Sequence, residues 1–418
     1  MKRVIIAGVG PGSKSCLTEE VKEAIDNSEV LIGSKRLIEE YTDKKTFYAV
    51  TAKDIIDIID NENPKKFDPV SPINVFAGEK LNGKNANNYV VLMSGDTGFY
   101  SGAKKLAEAL AGKYEYSIMA GVSSVIYLAA KIGKSWENAA FVSLHGKKQS
   151  YIPVVLQNEL TYFLTQGNVS QICQELYRAG LGQAHIWIGE NLSYDNEKIT
   201  NGNVSEFTEY ISEGLTVLAV YNEHSRAFSI TGIADSSFIR SDVPMTKREI
   251  RASVVSRMAV SKNSCVYDIG AGTGSVTVEL ALHALYGTVY AVERTEEGCS
   301  LIAKNAEKFG LNNIEIIHGN AAAVIDSLPV PDKVFIGGSG GELEYIFSSI
   351  LKKNPYVHIV VTAVTLETLN NTISLMEKNG MNVLDIVQIA VTEVKKRGRY
   401  HMMSANNPVF IIEGRGAK

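Results

Sequence analysis

The stretch DIGAGTGS at residues 268–275 is the strongest signal in this chain of 418 residues, and it determines the predicted fold of the second half. The apolar segment CVYDI (265–269) leads into the glycines and a helix-forming segment follows them, which predicts strand, loop and helix. Glycines at such a junction let a ligand approach the backbone, and the helix offers free N–H groups to a carboxylate or phosphate. Glu293 ends the next predicted strand, about where an acidic side chain binds ribose hydroxyls. The pattern therefore predicts a nucleotide-type cofactor site in a Rossmann-like fold.

The spacing of the glycines distinguishes between cofactors. A nicotinamide enzyme would carry GxGxxG, but Ser275 occupies the third glycine position of that pattern. GxGxG between Asp268 and Glu293 fits S-adenosylmethionine better. That cofactor has no phosphate, so the protein must bind its carboxylate and ammonium groups with polar groups near Asp268 and the loop. An oxidoreductase is therefore the least favoured enzyme class, and a tight turn with a purely structural role is the alternative interpretation.

Further apolar segments continue the alternation of strands and helices through the second half. A helix begins at Lys247, and strands are predicted at 265–269, 288–292, 313–317, 333–337, 357–361, 383–390 and 408–412. Helix-length segments separate the first five strands, which predicts a doubly wound sheet. A longer loop separates the last two strands, which could pair as a terminal hairpin.

The first half also begins with a strand, a glycine loop and a helix. RVIIAG (3–8) runs into GVGPG (8–12), and later strands lead into SGDTGFYSG (94–102) and AGVSS (120–124). Strands that alternate with helices predict an α/β sheet whose ligand loops lie at the carboxyl ends of the strands. Residues 60–88 are rich in Asn, Pro, Lys and Gly, and we interpret them as a surface insertion.

The chain divides where a polar stretch without sustained periodicity follows an apolar strand, near residues 222–245. We predict a first domain at 1–224, a linker at 225–245, and a second domain at 233–418 whose start overlaps the linker. The chain length fits two or three domains of roughly 100–200 residues each.

Composition and charge exclude several classes of protein. The chain carries 42 basic and 46 acidic residues, a net charge of −4, which disfavours a broad electrostatic grip on nucleic acid. Its 4 cysteines lie far apart, at 16, 173, 265 and 299, and match no metal-binding or CxxC spacing. No apolar run is long enough for a signal peptide or a membrane span. We therefore expect a cytoplasmic protein without a metal cofactor, a nucleic-acid partner or a membrane anchor.

Several segments accompany the glycine loop of the second half. They are MTKREIRA, VYAVER, TAVTLE, NPVF and, above all, FIGGSGG at 335–341. Together they resemble the decarboxylating precorrin-6B C15-methyltransferases of cobalamin biosynthesis, a class I family, over nearly all of 233–418. FIGGSGG stands where amino-group methylases usually carry an Asn/Asp-Pro-Pro motif, which disfavours methylation of DNA or protein amines. The resemblance implies cofactor contacts from Thr246, Asp268, Gly270, Gly272, Thr273, Glu293, Gly319, Asn320, Ala321 and Gly337, and a substrate contact from Gly338.

The loops of the first half add a second resemblance. GVGPG, SGDTGFYSG and AGVSS in this order, with ENLSYDNEKIT at 190–200, resemble the class III tetrapyrrole methyltransferases, most closely the precorrin-7 C5-methyltransferases. In that family the cofactor lies between two lobes. Thr97 replaces a proline that often follows Gly-Asp in the family, and we expect the turn to be kept, because proline would only pre-set it. The resemblance implies cofactor contacts from Gly95, Asp96, Phe99, Tyr100, Ser123 and Ser124, and substrate contacts from Gly10 and Pro11.

Both resemblances in one chain imply the fused, decarboxylating C5,15-methyltransferases of the corrin pathway. The expected fold is a two-lobed class III α/β domain followed by a doubly wound, Rossmann-like class I domain. The resemblance implies one S-adenosylmethionine per domain, a corrin precursor as substrate, and homo-oligomers, either dimers or tetramers. Because the tetrapyrrole carbon is itself the nucleophile, the protein needs to supply no Cys, Ser or metal. The residues leave open whether the substrate carries cobalt, the order of the methylations and the identity of the proton acceptor.

Basic residues should line the pocket of a substrate that carries several carboxylates. KKRGRYH (395–401) is the densest basic run and lies between the last two strands, on a predicted loop that could cover the active site. We take Arg399 and His401 as the catalytic candidates, whereas Lys395 and Lys396 fit a solvated hairpin tip equally well. Further candidates, each with an ordinary surface position as the alternative, are Lys35 and Arg36 as substrate contacts, His145 with Lys147 and Lys148, and the carboxylates Asp235, Asp242 and Glu342 as bases.

Two other functions stay open from the residues. A tRNA methyltransferase would share the class I core and could use the basic run, although the acidic net charge and the lack of a recognised RNA-binding module disfavour it. A sensor or tetrapyrrole carrier without turnover is disfavoured because a carrier needs neither of two cofactor-type loops.

Overall fold

A computed structural model describes residues 2–61, 88–145, 149–225 and 227–416. The predicted insertion at 60–88 lies for the most part outside these residues, as do Lys147 and Lys148. The chain forms two compact units. The first runs to His145 and takes in Leu160–Tyr177 and Leu181–Tyr221, and the second contains the chain from Asn222 onward together with 149–159 and Arg178–Gly180.

The first unit contains two five-stranded sheets, which are the two predicted lobes. The first sheet is all parallel, in the order β3-β2-β4-β1-β5, and its interior strand β1 is buried on both faces, as in other parallel sheets covered by helices. Its elements are β1 (Arg3–Gly8), α1 (Glu19–Asp26), β2 (Val30–Gly33), α2 (Lys35–Ile38), β3 (Lys45–Tyr48), α3 (Ala52–Asn61), β4 (Asn88–Met93), α4 (Ala103–Leu110) and β5 (Glu115–Met119).

The second sheet of this unit has the order β6-β7-β10-β8-β9 and is mostly antiparallel. The elements that follow β5 along the chain are α5 (Ser124–Ile132), β6 (Ala140–Ser143), α6 (Ile152–Gln157), β7 (Leu160–Leu164), α7 (Val169–Leu176), β8 (His185–Glu190), β9 (Lys198–Asn203) and β10 (Thr216–Tyr221). Of these, α6 belongs to the second unit.

The second unit is the predicted doubly wound sheet, with seven strands in the order β13-β12-β11-β14-β15-β19-β16. The chain moves outward from β11 to β13 and then returns to β14 on the other side of β11, so the strand order reverses between β11 and β14. Its elements are α8 (Arg248–Met258), β11 (Cys265–Ile269), α9 (Ser275–His283), β12 (Thr288–Glu293), α10 (Glu296–Lys308), β13 (Ile314–His318), α11 (Ala321–Val324), β14 (Lys333–Ile336), α12 (Leu343–Lys353), β15 (His358–Ala363), α13 (Leu366–Lys378), β16 (Asn382–Ile389), β17 (Thr392–Arg397), β18 (Tyr400–Ala405) and β19 (Val409–Arg415).

The basic run does not lie on a loop, which corrects the sequence prediction. Strands β17 and β18 pair antiparallel, with Arg397 opposite Tyr400, and form a hairpin between β16 and β19. Gly398 begins its two-residue turn at φ 60°, a conformation that suits glycine and matches the twist of the paired strands.

A buried polar group links β14, β15 and β19 at the amino ends of the parallel strands. His358 Nε2 lies 2.9 Å from Glu413 Oε1, and Lys333 Nζ lies 3.1 Å from His358 Nδ1. Burial, followed by the charge of Lys333, lowers the pKa of His358 although Glu413 opposes the shift. His358 is therefore neutral in the folded protein at pH values where an unfolded histidine is already charged.

We predict that His358 makes the protein less stable in mild acid. Below the unfolded pKa of about 6.5, His358 binds a proton in the unfolded chain but resists protonation in the folded protein. The free energy of unfolding therefore decreases as the pH is lowered, by at most about 1.4 kcal/mol per pH unit. Urea unfolding of the wild type and of His358→Gln between pH 7.5 and 5.5 should show a shallower pH dependence in the variant. Parallel curves would remove His358 from this role.

Candidate functional site

The second unit has a cleft of about 390 Å³ where the loops after β11, β12, β13 and β14 meet. This is the carboxyl edge of the parallel strands, beside the point where the strand order reverses, which is the usual place for a ligand in an open α/β sheet. The cleft is lined by Val243, Pro244, Gly270, Gly272, Val292, Glu293, Arg294, Thr295, Glu297, Gly319, Asn320, Ala321, Gly338, Ser339 and Gly340.

Two glycine loops touch at the floor of this cleft. Gly270 has φ 75°, and a Cβ placed on it would lie 2.6 Å from the carbonyl oxygen of Gly338. Gly272 has φ 56°, and its Cβ would lie 2.9 Å from the carbonyl oxygen of Pro244. Only glycine combines this backbone conformation with such close approach. Gly338 itself has open space where a Cβ would stand, so the loop after β14 leaves room on the cleft side.

Glu293 connects the glycine loop to the end of β12. Its Oε2 accepts a hydrogen bond from the Gly272 N–H at 2.9 Å, and its Oε1 accepts from the Thr295 N–H at 2.9 Å and the Thr295 hydroxyl at 2.8 Å. A carboxylate has about four acceptor positions, so Oε2 keeps one for a ligand hydroxyl. Gly298 makes room for this side chain, because a Cβ there would lie 2.6 Å from Glu293 Cγ.

Asp268 is fully buried below the loop. Thr277 donates its hydroxyl to Asp268 Oδ2 at 2.5 Å, whereas Asp268 Oδ1 and the Thr273 hydroxyl have no hydrogen-bond partner among the described residues. Burial raises the pKa of Asp268 to about 7, and the charge of Glu293 adds to the shift against the hydrogen bonds from Thr277. An unpaired buried acceptor beside a glycine loop suits a cationic or hydroxyl-bearing ligand group.

One wall of the cleft comes from the segment before α8, which we call the strap (residues 231–247). Arg251 is fully buried, and its Nε donates to Glu279 Oε1 at 2.6 Å. Glu279 also accepts from the N–H groups of Gly232 and Ile233, at 2.8 and 2.9 Å. Asn305 accepts from the Ile239 N–H at 2.8 Å. These buried groups hold the strap, and with it Val243 and Pro244, at the rim of the cleft.

The structure brings together seven of the eleven positions that the sequence assigned to this site. Bordering the cleft are Gly270, Gly272, Glu293, Gly319, Asn320, Ala321 and Gly338. Four others lie in the same loops, in the strap or at the end of β11 but do not border it, namely Thr246, Asp268, Thr273 and Gly337. The Thr246 carbonyl accepts from Arg251 at 2.6 Å, so this residue holds the strap. Sequence reasoning missed the wall at Val243 and Pro244, which no local pattern marks.

The candidate bases and catalytic residues of the second half do not border the cleft. Asp235 pairs with Arg251 at 3.2 Å, so its carboxylate is already occupied. Asp242 and Glu342 are exposed, and Glu342 is the residue that precedes α12. Arg399 and His401 are exposed at the tip of the hairpin, where the Arg399 guanidinium lies 5.0 Å from the Tyr400 ring centroid.

The first unit has its own cleft of about 260 Å³, enclosed by loops of both sheets. All six residues predicted to contact the cofactor line it, together with Pro11, which was predicted to contact the substrate, and the candidate His145. The full lining is Pro11, Ser94, Gly95, Asp96, Phe99, Tyr100, Ser123, Ser124, His145, Leu164, Thr165, Leu192, Leu215, Thr216 and Val217. The sequence missed the residues of β7 and β10 and the loops beside them, because these apolar strands look like ordinary core.

Three glycines bring the loops after β1, β4 and β5 into contact beneath this cleft. A Cβ on Gly8 would lie 2.6 Å from the Gly121 nitrogen, and a Cβ on Gly121 would lie 2.4 Å from the Gly95 carbonyl oxygen. Gly10 and Gly95 exchange backbone hydrogen bonds of 3.1 and 2.7 Å, so Gly10 supports the floor. Asp96 Oδ2 accepts from the Gly121 N–H at 3.1 Å. The Thr97 hydroxyl donates to the Met119 carbonyl at 3.1 Å, and the turn is closed without a proline.

Arg36 donates hydrogen bonds to three groups beside the first cleft. Its guanidinium donates to the Ser94 hydroxyl at 2.9 Å, to the Tyr194 hydroxyl, and to the Pro11 carbonyl at 3.5 Å. Tyr194 belongs to the segment ENLSYDNEKIT, and its hydrogen bond with Arg36 brings this segment next to the first cleft. Lys35 lies on the surface, 79% exposed, and pairs with Glu39 at 3.5 Å. The ring of His145 borders the cleft, and burial lowers its pKa.

Two absences hold for the described part of the chain. Within those residues, no three His, Cys, Asp or Glu side chains gather closely enough to hold a metal ion. None of their helices combines the length and apolar character that crossing a membrane requires.

Comparisons with known proteins give one match for each half. A family model described as "Precorrin methyltransferase domain" matches residues 237–414, and one described as "Tetrapyrrole (Corrin/Porphyrin) Methylases" matches residues 3–208. A probable cobalt-precorrin-6B C(15)-methyltransferase (decarboxylating) from Saccharolobus solfataricus is 41% identical over 194 residues, which are 45% of this chain and 96% of the relative.

Two further matches concern proteins named for both methylations. A precorrin-6Y C(5,15)-methyltransferase [decarboxylating] from Sinorhizobium sp is 29% identical over 282 residues, covering 66% of this chain and 68% of the relative. A crystal structure of precorrin-6y C5,15-methyltransferase from Geobacter metallireducens is 34% identical, with a TM-score of 0.43, and covers 45% of this chain and 98% of its own.

We predict that Gly270→Ala disrupts the second cleft far more than a glycine replacement elsewhere. The added Cβ overlaps the Gly338 backbone and also strains a left-handed residue, so unfolding free energy should fall by about 3 kcal/mol and cofactor binding should be lost. Gly380→Ala is the matched control, because Gly380 has φ 67° with open space around it, and it should cost only about 1 kcal/mol. Equal losses in urea unfolding would contradict the steric argument.

We predict that Glu279→Gln loosens the strap. Removing one charge of the buried Arg251–Glu279 pair should lower the free energy of unfolding by about 3 kcal/mol and weaken cofactor binding. Glu344→Gln is the control, because it breaks an ion pair with Lys378 whose side chains are 69% and 68% exposed, and should leave the free energy of unfolding nearly unchanged. Urea unfolding and isothermal titration would measure both effects, and similar costs for the two variants would refute the role of burial.

Proposed function

The chain belongs to the decarboxylating precorrin C15-methyltransferases of cobalamin biosynthesis, and we propose that it is bifunctional, with one methylation carried out in each unit. The single observation that carries this proposal is the presence of two separate clefts, each built on glycine loops at the carboxyl ends of parallel strands. We assign methylation of C15 and loss of the C12 acetate carboxyl to the second unit, and methylation of C5 to the first. The predicted domains at 233–418 and 1–224 account for most of the second and the first unit, respectively, although the second unit also contains 149–159 and Arg178–Gly180.

The residues of the second cleft fit S-adenosylmethionine. Glu293 keeps an acceptor for ribose hydroxyls, and the apolar Ala321 beside Asn320 suits an adenine ring. The unpaired Asp268 Oδ1 at the end of β11 and the buried Thr273 hydroxyl in the loop that follows would lie near the amino-acid end of the cofactor. When bound, the cofactor supplies an electrophilic methyl group on its sulfonium.

The first cleft suits a second molecule of the same cofactor, but its lining residues are of a different kind from those of the second cleft. Ser123 caps α5 by accepting from the Val125 N–H at 3.3 Å, and its neighbour Ser124 also borders the cleft. The rings of Phe99 and Tyr100 pack edge to face at 4.9 Å and form an apolar side. We therefore propose that Gly95, Asp96, Phe99, Tyr100, Ser123 and Ser124 bind the cofactor here.

The contribution of the chain to methyl transfer is alignment and exclusion of water. The corrin precursor brings its own electron-rich carbon, so the walls only have to hold it in line with the methyl group. Alignment of this kind can lower a barrier by about 7–11 kcal/mol. Gly338 offers open space for the ring beside the loop after β14. The strap residues Val243 and Pro244 close the opposite side.

Decarboxylation makes a different demand on the second unit. Loss of carbon dioxide from an acetate arm leaves an electron pair that the conjugated ring accepts. An apolar surrounding promotes this step, because it destabilises the charged carboxylate relative to neutral carbon dioxide. In methyl transfer the substrate supplies the nucleophile and in decarboxylation it supplies the electron acceptor, so neither reaction needs a nucleophilic side chain. We infer that no metal takes part and that the base is a group not yet assigned.

Arg36 is the proposed substrate anchor of the first unit. A guanidinium can bind a carboxylate in a bidentate manner, and Arg36 is held between the loops of Pro11 and Ser94 at the edge of the cleft. Gly10 and Pro11 would border the ring. The exposed Lys35 would add only long-range attraction. Association into dimers or tetramers is part of the same proposal, by likeness to the family.

We predict that each cleft can be blocked without loss of the other. Gly338→Leu should fill the second cleft, since its Cβ meets open space, and Ser124→Trp should fill the first. The number of S-adenosylmethionine molecules bound per chain, measured by equilibrium dialysis with labelled cofactor, should fall from two in the wild type to one in each variant. Mass spectrometry of precorrin-6B, with and without cobalt, should show two methyl groups gained and one carbon dioxide lost with the wild type.

The variants divide these products. Ser124→Trp should add one methyl group and still release carbon dioxide, whereas Gly338→Leu should release none. Circular dichroism should show both variants folded as the wild type. Binding of two cofactors without any mass change would reject the corrin substrate and favour the tRNA alternative, and absence of cofactor binding would favour a carrier.

A further inference from the structure

The segment that follows β8 in the first unit, which we call the brace (residues 191–197), has a strained backbone. Asn191 and Ser193 have φ values of 47° and 72°, in the left-handed region that residues other than glycine rarely adopt. Leu192, between them, borders the first cleft. Backbone strain of this kind persists only where the surrounding structure fixes it, and it concentrates at functional sites. The strain therefore points to contacts that hold the brace in this shape beside the cleft.

The middle of the brace is tied to the glycine loop after β1. The Ser13 N–H donates to the Ser193 hydroxyl at 2.9 Å. The ring of the next residue, Tyr194, lies against Gly12, and a Cβ on Gly12 would overlap that ring. Glycine at position 12 thus leaves the space that the Tyr194 ring fills, so the loop and the brace fit each other closely.

The far end of the brace is tied to α5. Glu197 Oε1 pairs with Lys131 Nζ at 2.8 Å, and Glu197 Oε2 accepts from the Ser193 N–H at 2.7 Å. Lys131 lies in the last turn of α5, the helix whose first residue, Ser124, borders the cleft. The strained turn is therefore fixed from two sides, by the loop after β1 and by the helix at the cleft.

Tyr194 gives Arg36 one of its three hydrogen-bond acceptors. The Tyr194 hydroxyl and the Pro11 carbonyl accept from Arg36 Nη1, and the Ser94 hydroxyl accepts from Arg36 Nη2 at 2.9 Å. A guanidinium has five N–H donors, so Nε and one N–H of Nη2 have no partner among the described residues. Two donors are what a carboxylate needs for a bidentate pair. The guanidinium is thus held by three contacts and keeps two donors for a ligand.

We propose that Tyr194 is the positioning residue for the substrate anchor Arg36, and that the brace holds Tyr194 in place for this role. The proposal rests on the proposed function, in which Arg36 binds a carboxylate of the tetrapyrrole in the first unit. Without the Tyr194 hydroxyl, the guanidinium keeps its charge but loses a fixed contact and turns more freely. A bidentate pair requires the two donors to face the carboxylate, so a freely turning guanidinium binds it more weakly.

Steady-state kinetics of methylation by the first unit test this role. Ser124→Trp protein should convert precorrin-6B to a product with one methyl group gained and carbon dioxide lost, and this isolated product is the substrate for the first unit alone. Tyr194→Phe removes only the hydroxyl that accepts from a charged donor. We expect its KM for this substrate to rise about tenfold, with kcat and the affinity for S-adenosylmethionine within about twofold of the wild-type values.

Tyr114→Phe is the matched control and should keep the wild-type KM. The Tyr114 hydroxyl also donates a hydrogen bond, to Asp60, but Tyr114 precedes β5 at the amino edge of the first sheet, away from the cleft. A second pair of variants moves the ring instead of removing its hydroxyl. Gly12→Ala should raise the KM as Tyr194→Phe does, whereas Gly112→Ala should not, because Gly112 has φ 75° and open space around its Cβ position.

A double-mutant cycle separates positioning from an independent contact with the substrate. If Tyr194 acts through Arg36, Tyr194→Phe should raise the KM no further in an Arg36→Ala background. The same fold-increase in both backgrounds would overturn the role, since Tyr194 would then act without Arg36. A wild-type KM in Tyr194→Phe would overturn it as well.

The two proposals fail in different ways. If neither the wild type nor Ser124→Trp turns over precorrin-6B, the proposed function fails. Binding of uroporphyrin, a stable tetrapyrrole that bears several carboxylates, followed by absorbance, then tests the anchor alone. Weaker binding by Arg36→Ala and Tyr194→Phe, but not by Tyr114→Phe, would support Tyr194 as the residue that positions Arg36. Equal binding by all of these proteins would reject it.

Discussion

The contact between Gly270 and Gly338 is the constraint on which the second unit depends. A Cβ at position 270 would lie 2.6 Å from the backbone of residue 338, so the loops after β11 and β14 can meet only without side chains. These strands are neighbours at the reversal of strand order, and the contact closes the floor of the cleft there. The first unit repeats the device with Gly8, Gly95 and Gly121, on a different strand order. Two unrelated sheets thus solve the same problem of bringing backbone close to a ligand.

The walls of the two clefts depend on long-range polar contacts. In the second unit, Arg251 and Glu279 are both fully buried and hold the strap by its backbone. A pair of this kind adds little net stability compared with apolar packing, yet either partner left alone would be costly, so the pair specifies one position for Val243 and Pro244. In the first unit, Arg36 joins Pro11, Ser94 and Tyr194, which are far apart in sequence.

The sequence predicted the floors of the sites better than their walls. Gly270, Gly272, Glu293, Gly95 and Asp96 lie in short motifs whose backbone chemistry is local. Val243 and Pro244 carry no motif, and Leu164, Thr165 and Thr216 belong to strands that read as core. The hairpin at 392–405 was mistaken for a loop because its sequence, TEVKKRGRYHMMSA, has no regular alternation of apolar and polar residues. Asp235, considered as a base, is taken by Arg251, which only the folded chain reveals.

What the sequence determined by itself was the class of the second half, because strand, glycine loop and acidic residue follow one another within about thirty residues and need no distant contact. The class of the first half followed from a family resemblance carried by three loops in order. The sequence also indicated the methyl-donor type, through Ser275 in place of a third glycine. The tertiary structure alone decided which side chains close each cleft, that the basic run stands on an exposed hairpin, and that this hairpin leaves the sheet at the edge where the second cleft lies. These features depend on strand order and on pairings across dozens to hundreds of residues, and no local pattern of polarity encodes them.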